Sequence, residues 1–222
     1  MPDITLILPT RNEVKTLGLV LDEVKLLPFP VNILVSDYLS TDGTRELAFE
    51  RGVKLLVIKE RGKGAAIREA LKLVETPYVV TANSDHTYPT NAIITIYRFL
   101  RDYNYDVVIG ERVLKEKDSM TNLNSLGNLG LSWIAACLYM KAPVDFNSGM
   151  WGFKTEILRS FDLTGEFFTI EADYFVNSVK HKCKTAKIPI AYRARPNGSK
   201  TKLRISDGFK IAGFLLSKRF SK

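Results

Sequence analysis

Five short apolar runs punctuate the first half of the chain: Ile4 to Leu8, Val31 to Val35, Lys54 to Ile58, Tyr78 to Ala82 and Asp106 to Ile109. Each is aliphatic or β-branched, and each is followed by polar or turn-forming residues. Runs of this kind read as strands covered on both faces, because a strand with one wet face would alternate apolar and polar residues. Helical patterns fill the gaps, over Glu13 to Leu27, Thr44 to Arg51, Gly64 to Val74 and Asn91 to Asp102. In the first of these Leu17, Val20, Leu21 and Val24 recur at helical spacing and share one face. The order βαβαβαβαβ predicts an α/β fold with a mainly parallel sheet, right-handed crossovers and a ligand crevice outside the carboxyl ends of the strands.

After Arg112 the alternation stops. Asn122 to Met140 carries no charge, begins polar and ends in Leu131, Trp133, Ile134, Leu138, Tyr139 and Met140. Its first half is too polar to cross a bilayer, but the segment suits a buried or interfacial helix. Met150 to Lys154 and Thr185 to Ala191 read as strands, Ile170 to Lys182 as a helix, and Asp207 to Phe220 as a last helix with a broad apolar side. There is no internal repeat. The expectation for 222 residues with 45% hydrophobic and 25% charged content is one continuous domain, 1–222, rather than a disordered or coiled-coil chain. Its parts would be 1–112, 113–205 and a C-terminal amphipathic helix, 206–222. Cys137 and Cys183 show neither CxxC nor Cys/His spacing, which predicts a reduced, intracellular chain. No basic segment precedes the first apolar run, so no secretory leader is expected.

Charge is placed unevenly. The net charge is +8, yet Lys180 to Lys222 holds 13 Lys or Arg against the single acid Asp207. Such a segment attracts phosphate, on a nucleotide, a lipid headgroup or a nucleic acid, unless it is simply a solvated tail. No RNP-type, zinc-knuckle or helix-turn-helix signature accompanies it, so nucleic acid is not an expected partner. Between Asp207 and Lys222, Phe209, Ile211, Phe214, Leu215, Leu216 and Phe220 lie beside Lys210, Lys218 and Arg219. That pattern predicts peripheral contact with an anionic membrane at its cytoplasmic face, or else a helix packed on the protein's own core.

Three strand ends carry chemistry: Pro9 to Glu13, Ser36 to Thr44, and Asn83-Ser84-Asp85. Polar groups at adjacent carboxyl ends converge on one crevice. Asp42 and Thr44 read as turn and cap residues. Asp37 stands directly at a strand end, where a carboxylate can accept hydrogen bonds from a base or ribose. Asp37 and Asp85 are expected to face one hollow from neighbouring strand ends.

These segments resemble those of family 2 glycosyltransferases of the GT-A fold, a Rossmann-like mostly parallel sheet flanked by helices, and in particular the dolichyl-phosphate mannose and glucose synthases. The resemblance rests on Pro9 to Glu13, Ser36 to Thr44, Gly62 to Ala66, Asn147 to Met150, Ile170 to Asp173, Ile188 to Arg193, and Gly198 to Lys200 followed by Asp207-Gly208. Seven segments in shared order across roughly residues 4–210 are far more specific than any one of them.

The resemblance implies an inverting transferase that moves a hexose from GDP-mannose or UDP-glucose to a polyprenyl (dolichyl) phosphate. Residues 1–112 would hold the nucleotide sugar, through Pro9, Arg11, Glu13, Asp37, Lys63, Arg68, Asn83 and Asp85, and 113–205 the acceptor. The family's Asp-x-Asp metal motif falls on Asn83-Ser84-Asp85, which implies Mg2+ or Mn2+ on Asp85 and Asn83, held more weakly than by two carboxylates. His86 is a further possible ligand. Arg112, Arg195, Ser199, Lys200 and Lys202 would contact acceptor or donor phosphate. Glu171 and Asp173 are the candidate catalytic carboxylates beside Asp85. A saccharide hydroxyl acceptor would need one of them as base, whereas an ionised phosphate acceptor would not. Their plainer role is as helix-start carboxylates favoured by the macrodipole. The chain departs from the family at Asn83, at Tyr38-Leu39 in place of an Asp/Asn-Gly pair, at Trp151 where an Arg often follows, and at 119–128, which lacks a cation. Those departures leave two other readings open: transfer to a saccharide hydroxyl, or a non-catalytic nucleotide-sugar-binding module.

Overall fold

The computed structural model describes residues 1–196 and 205–220. Its elements run β1 (Ile4–Thr10), α1 (Val14–Lys25), β2 (Asn32–Tyr38), α2 (Thr44–Glu50), β3 (Lys54–Ile58), α3 (Lys63–Leu71), β4 (Tyr78–Thr81), α4 (Ala92–Arg101), β5 (Val107–Lys115), α5 (Asn122–Tyr139), β6 (Trp151–Lys154), α6 (Thr155–Ser160), α7 (Ile170–Lys180), β7 (Thr185–Tyr192) and α8 (Ile205–Phe220). All seven strands form one sheet in the order β3-β2-β1-β4-β6-β5-β7.

The strands alternate sides, as the pleat demands. Ile7, Val79, Val107 and Ile109 enter one core with α5, α7 and α8. Leu6, Leu8, Val80 and Val108 enter the other, beneath α1 and α4. Both faces are therefore dry, which is why the sequence shows unbroken apolar runs. α1 buries Leu17, Val20, Leu21 and Val24, the four positions whose spacing marked its inner face.

Most pairings are parallel, with Thr5 opposite Asn32 and Thr5 opposite Val79 on either side of β1. One strand departs from the expected pattern. β6 lies antiparallel between β4 and β5, with Val80 opposite Gly152 and Val108 opposite Gly152. Gly152 fits there because a Cβ would stand 2.1 Å from Ile96 of α4. β5 runs well past the expected Ile109, as far as Lys115, because its second half pairs with β7 through an irregularity between Arg112 and Leu114. The short α6 was not anticipated, since six residues carry too little periodicity to read. Because β1 lies between β2 and β4, the ends bearing Asp37 and Asp85 are not adjacent, contrary to expectation.

Candidate active site

A cleft of about 1510 Å³ opens at the carboxyl ends of β1, β2 and β4. Pro9, Arg11, Glu13, Tyr38, Lys63, Asn83, Asp85, Arg112, Glu171 and Arg195 all line it. Strand order brings the ends of β1, β2 and β4 and the start of α3 to one edge, and residues from the start of α7 and the chain after β7 line the same cleft.

The floor is a set of charge pairs. Lys63, at the first position of α3, forms an ion pair with Glu171 at the start of α7, and its Nζ also donates to Asn83 Oδ1 at 2.7 Å. Arg195 lies 2.5 Å from Asp85 Oδ2, while Asp85 Oδ1 accepts from Thr87 Oγ1 at 2.6 Å. Two carboxylates and two cations thus balance at the floor of the cleft. Gly149 packs against this floor: a Cβ there would come within 2.7 Å of the Asn83 amide. Tyr88 holds the same loop, its hydroxyl accepting from Gly149 N at 2.7 Å, and burial pushes its phenol pKa well up.

Several expected residues point elsewhere. Asp37 is 0% exposed and does not line the cleft. Its Oδ1 accepts from Ser40 N at 2.8 Å and its Oδ2 from the Ser40 hydroxyl, so the carboxylate braces the β2–α2 turn instead of facing Asp85. Asp173 is likewise 0% exposed. Its Oδ2 accepts from Thr164 N and Gly165 N at 2.6 and 2.7 Å, tying down the loop before α7, and burial raises its pKa despite those bonds. Arg68 is directed away as well, donating to Gly165 O at 2.9 Å and pairing with Glu60. His86 meets Glu23 at 2.9 Å and not Asp85. Burial works against the Glu23 charge, but Arg193 and His86 more than offset it and hold the carboxyl below its usual range. Asp42 braces the turn before α2, accepting from the Thr44 hydroxyl and from Val14 N and Thr44 N, both at 3.1 Å; burial is outweighed by these bonds, the Thr44 hydroxyl first, and its pKa is lowered.

Arg112 lines the cleft but is gripped in a fork by Asp145, at 2.7 and 2.5 Å, with Tyr192 beside it. Ser199, Lys200 and Lys202 lie outside the described residues. Arg61, Tyr88, Phe167 and Phe168 also line the cleft and were not singled out from the sequence. Phe167-Phe168, just before the Ile170 segment, was the one available signal. At the mouth, Arg11 stacks over the Tyr38 ring, 4.9 Å from its centroid.

Fold and site define an α/β protein of the GT-A type, with a polar cleft outside the carboxyl ends of an open sheet. The chain belongs to glycosyl transferase family 2, whose sequence profile matches residues 5–161. It is similar to glycosyltransferase AglJ of Haloferax volcanii, 37% identical over 93% of this chain and 69% of that protein. It is also similar to a dolichyl-phosphate hexose transferase of Haloferax volcanii, 28% identical over 89% of this chain and 86% of the relative. Among solved structures, glucosyl-3-phosphoglycerate synthase from Mycobacterium tuberculosis, in complex with Mn2+, UDP and phosphoglyceric acid, superposes with a TM-score of 0.77. That match covers 100% of this chain and 80% of that one at 19% identity.

Proposed function

We propose that this family 2 glycosyltransferase moves a hexose, mannose or glucose, from a GDP- or UDP-sugar to a polyprenyl phosphate at a membrane surface. The observation that carries the reading is the floor of paired charges, Lys63 with Glu171 and Arg195 with Asp85, at the strand-end cleft. The relative named as a dolichyl-phosphate hexose transferase supports the acceptor class.

The donor set fits a lightly held hard cation. Asp85 and Asn83 offer a carboxylate and an amide oxygen two residues apart on the cleft wall, and among the described residues no group of three His, Cys, Asp or Glu could hold an ion alone. Mg2+ or Mn2+ would take the rest of its shell from the donor diphosphate. Once bound, such an ion supplies charge neutralisation to the leaving diphosphate.

The residues do the rest. An acceptor phosphate oxygen attacks the anomeric carbon, the bond from that carbon to the diphosphate oxygen breaks, and the nucleoside diphosphate leaves with the electron pair. No proton is transferred, because the acceptor is already ionised at neutral pH. Lys63 and Arg195, the two cations of the cleft floor, would stabilise the growing phosphate charge. Donor entry exchanges the Asp85–Arg195 contact for phosphate contacts. A hydroxyl acceptor is the second reading, with Glu171 as base, and there the Lys63 ammonium competes with the hydroxyl for that carboxylate.

The test mixes folded protein with UDP-glucose or GDP-mannose, Mn2+ or Mg2+, and a polyprenyl phosphate, and measures release of the nucleoside diphosphate and formation of the glycolipid. Glu171→Gln should keep much of its turnover with a phosphate acceptor and lose nearly all with a hydroxyl acceptor. Nucleotide binding without transfer to either acceptor defeats the reading in favour of a binding module.

A further inference from the structure

α5 is apolar on both sides. Leu131, Ala135 and Tyr139 pack into the core, while Leu123, Leu126, Leu129, Trp133, Ile134 and Met140 stand exposed. The other exposed positions between Leu123 and Met140 are Gly127, Gly130 and Cys137. At 3.6 residues per turn they all fall within one outward sector. A helix at a water surface turns charged residues outward, and one that is apolar all round needs cover. Here the polar residues Asn124 and Asn128 face the cleft instead.

We infer that the outer face of α5 is the surface that beds into an anionic lipid bilayer, ahead of the more obviously amphipathic α8. On α8, Ile211 and Leu215 are buried in the core shared with α5, so that its apolar side is partly used. Exposed cations bracket α5: Lys115 and Lys117 before it and Lys141 after it. Arg219 stands at its last turn, donating to Leu138 O at 2.8 Å. The acids Glu116 and Asp118 offset Lys115 and Lys117 on the approach to α5, so the cationic excess beside this face is Lys141 and Arg219 at its far end. A charge-free apolar sector with cations at its C-terminal end complements anionic headgroups, and an exposed tryptophan favours the headgroup boundary.

The same face is continuous with the site. Leu123 and Leu126 line the cleft as well as the outer surface. An acceptor whose tail stays in the bilayer can therefore present its phosphate to the cleft without leaving the membrane. The acceptor's path rests on the polyprenyl-phosphate reading; lipid binding by α5 does not.

The chain carries its own reporter, since of its two tryptophans Trp133 is 56% exposed and Trp151 is 0%. The full chain is mixed with vesicles of phosphatidylcholine, with and without phosphatidylglycerol. The expected result is flotation with the anionic vesicles, weakened by salt, with a blue shift of Trp133 and its quenching by brominated lipid. Leu129→Glu with Ile134→Glu, neither in the cleft, should weaken flotation about tenfold, while unchanged Trp151 emission shows that the fold holds. The inference is overturned if Trp133 ignores lipid and nothing floats, or if flotation survives those substitutions but is lost in Phe209→Glu with Phe220→Glu. It is also overturned if Trp133 shifts without lipid as a dimer forms. Flotation without sugar transfer would leave this surface standing and defeat the catalytic reading. Transfer to a short, water-soluble acceptor without flotation would do the reverse.

Discussion

In the proposed cation site Asn83 takes the place of a first carboxylate, and its oxygen accepts from Lys63 at 2.7 Å. Asn83→Asp adds a second hard anionic donor two residues from Asp85. In the presence of UDP or GDP, Mn2+ should bind roughly tenfold tighter by calorimetry; an unchanged affinity would mean that position 83 does not face the ion. Asp106 shows a charge used for stability. Burial opposes its ionisation, but Lys154 at 2.8 Å and the Lys184 amide at 2.9 Å outweigh that and hold its pKa below the ordinary carboxylate value. An acid whose folded pKa is depressed contributes stability above its unfolded pKa and loses it as pH falls through the folded value. Asp106→Asn should therefore cost on the order of 1 kcal/mol at neutral pH. The difference in melting temperature from the parent should shrink as pH drops below about 4. Residue types at the strand ends were legible in the sequence; their directions were not. Asp37 turns inward because a Ser40 amide and hydroxyl lie within reach, and Asp173 because two loop amides do.

Two helix starts position the site. α3 begins at Lys63 after Gly62, whose φ of 130° suits glycine, and it approaches the loop before α7 so closely that a Cβ on Gly64 would stand 1.8 Å from Gly165 O. Backbone atoms on both sides leave nothing to yield cheaply. Gly64→Ala should cost at least 1–3 kcal/mol, roughly, and should separate Lys63 from Glu171. A lower melting temperature together with weakened nucleotide binding would check it, whereas an unaltered protein would contradict the close approach. The helices of the first half were legible because their apolar spacing is local. β6 was legible as a strand, but its antiparallel direction was not, since four residues with both faces covered, Trp151 to Lys154, carry no sign of direction.

For the whole molecule, the last helix closes the core it shares with α5 and α7. Leu215 of α8 is fully buried, and the Tyr139 hydroxyl of α5 donates to its carbonyl at 3.0 Å. Leu215→Ala should lose about 2–5 kcal/mol and lower the midpoint of thermal or denaturant unfolding. A detachable tail would show no change. The sequence by itself determined the βα alternation, the doubly covered sheet and the residue types at its carboxyl edge, because strand and helix periodicity and family-like segments are written in neighbouring residues. Tertiary structure alone decided which of those residues meet. Lys63 and Glu171 are 108 positions apart, Arg195 reaches Asp85 from the far end of the chain, and the outward side of α5 is defined only by what its inward side packs against. Such pairings depend on strand order and on competition between nearby donors for each carboxylate, quantities that no local pattern encodes.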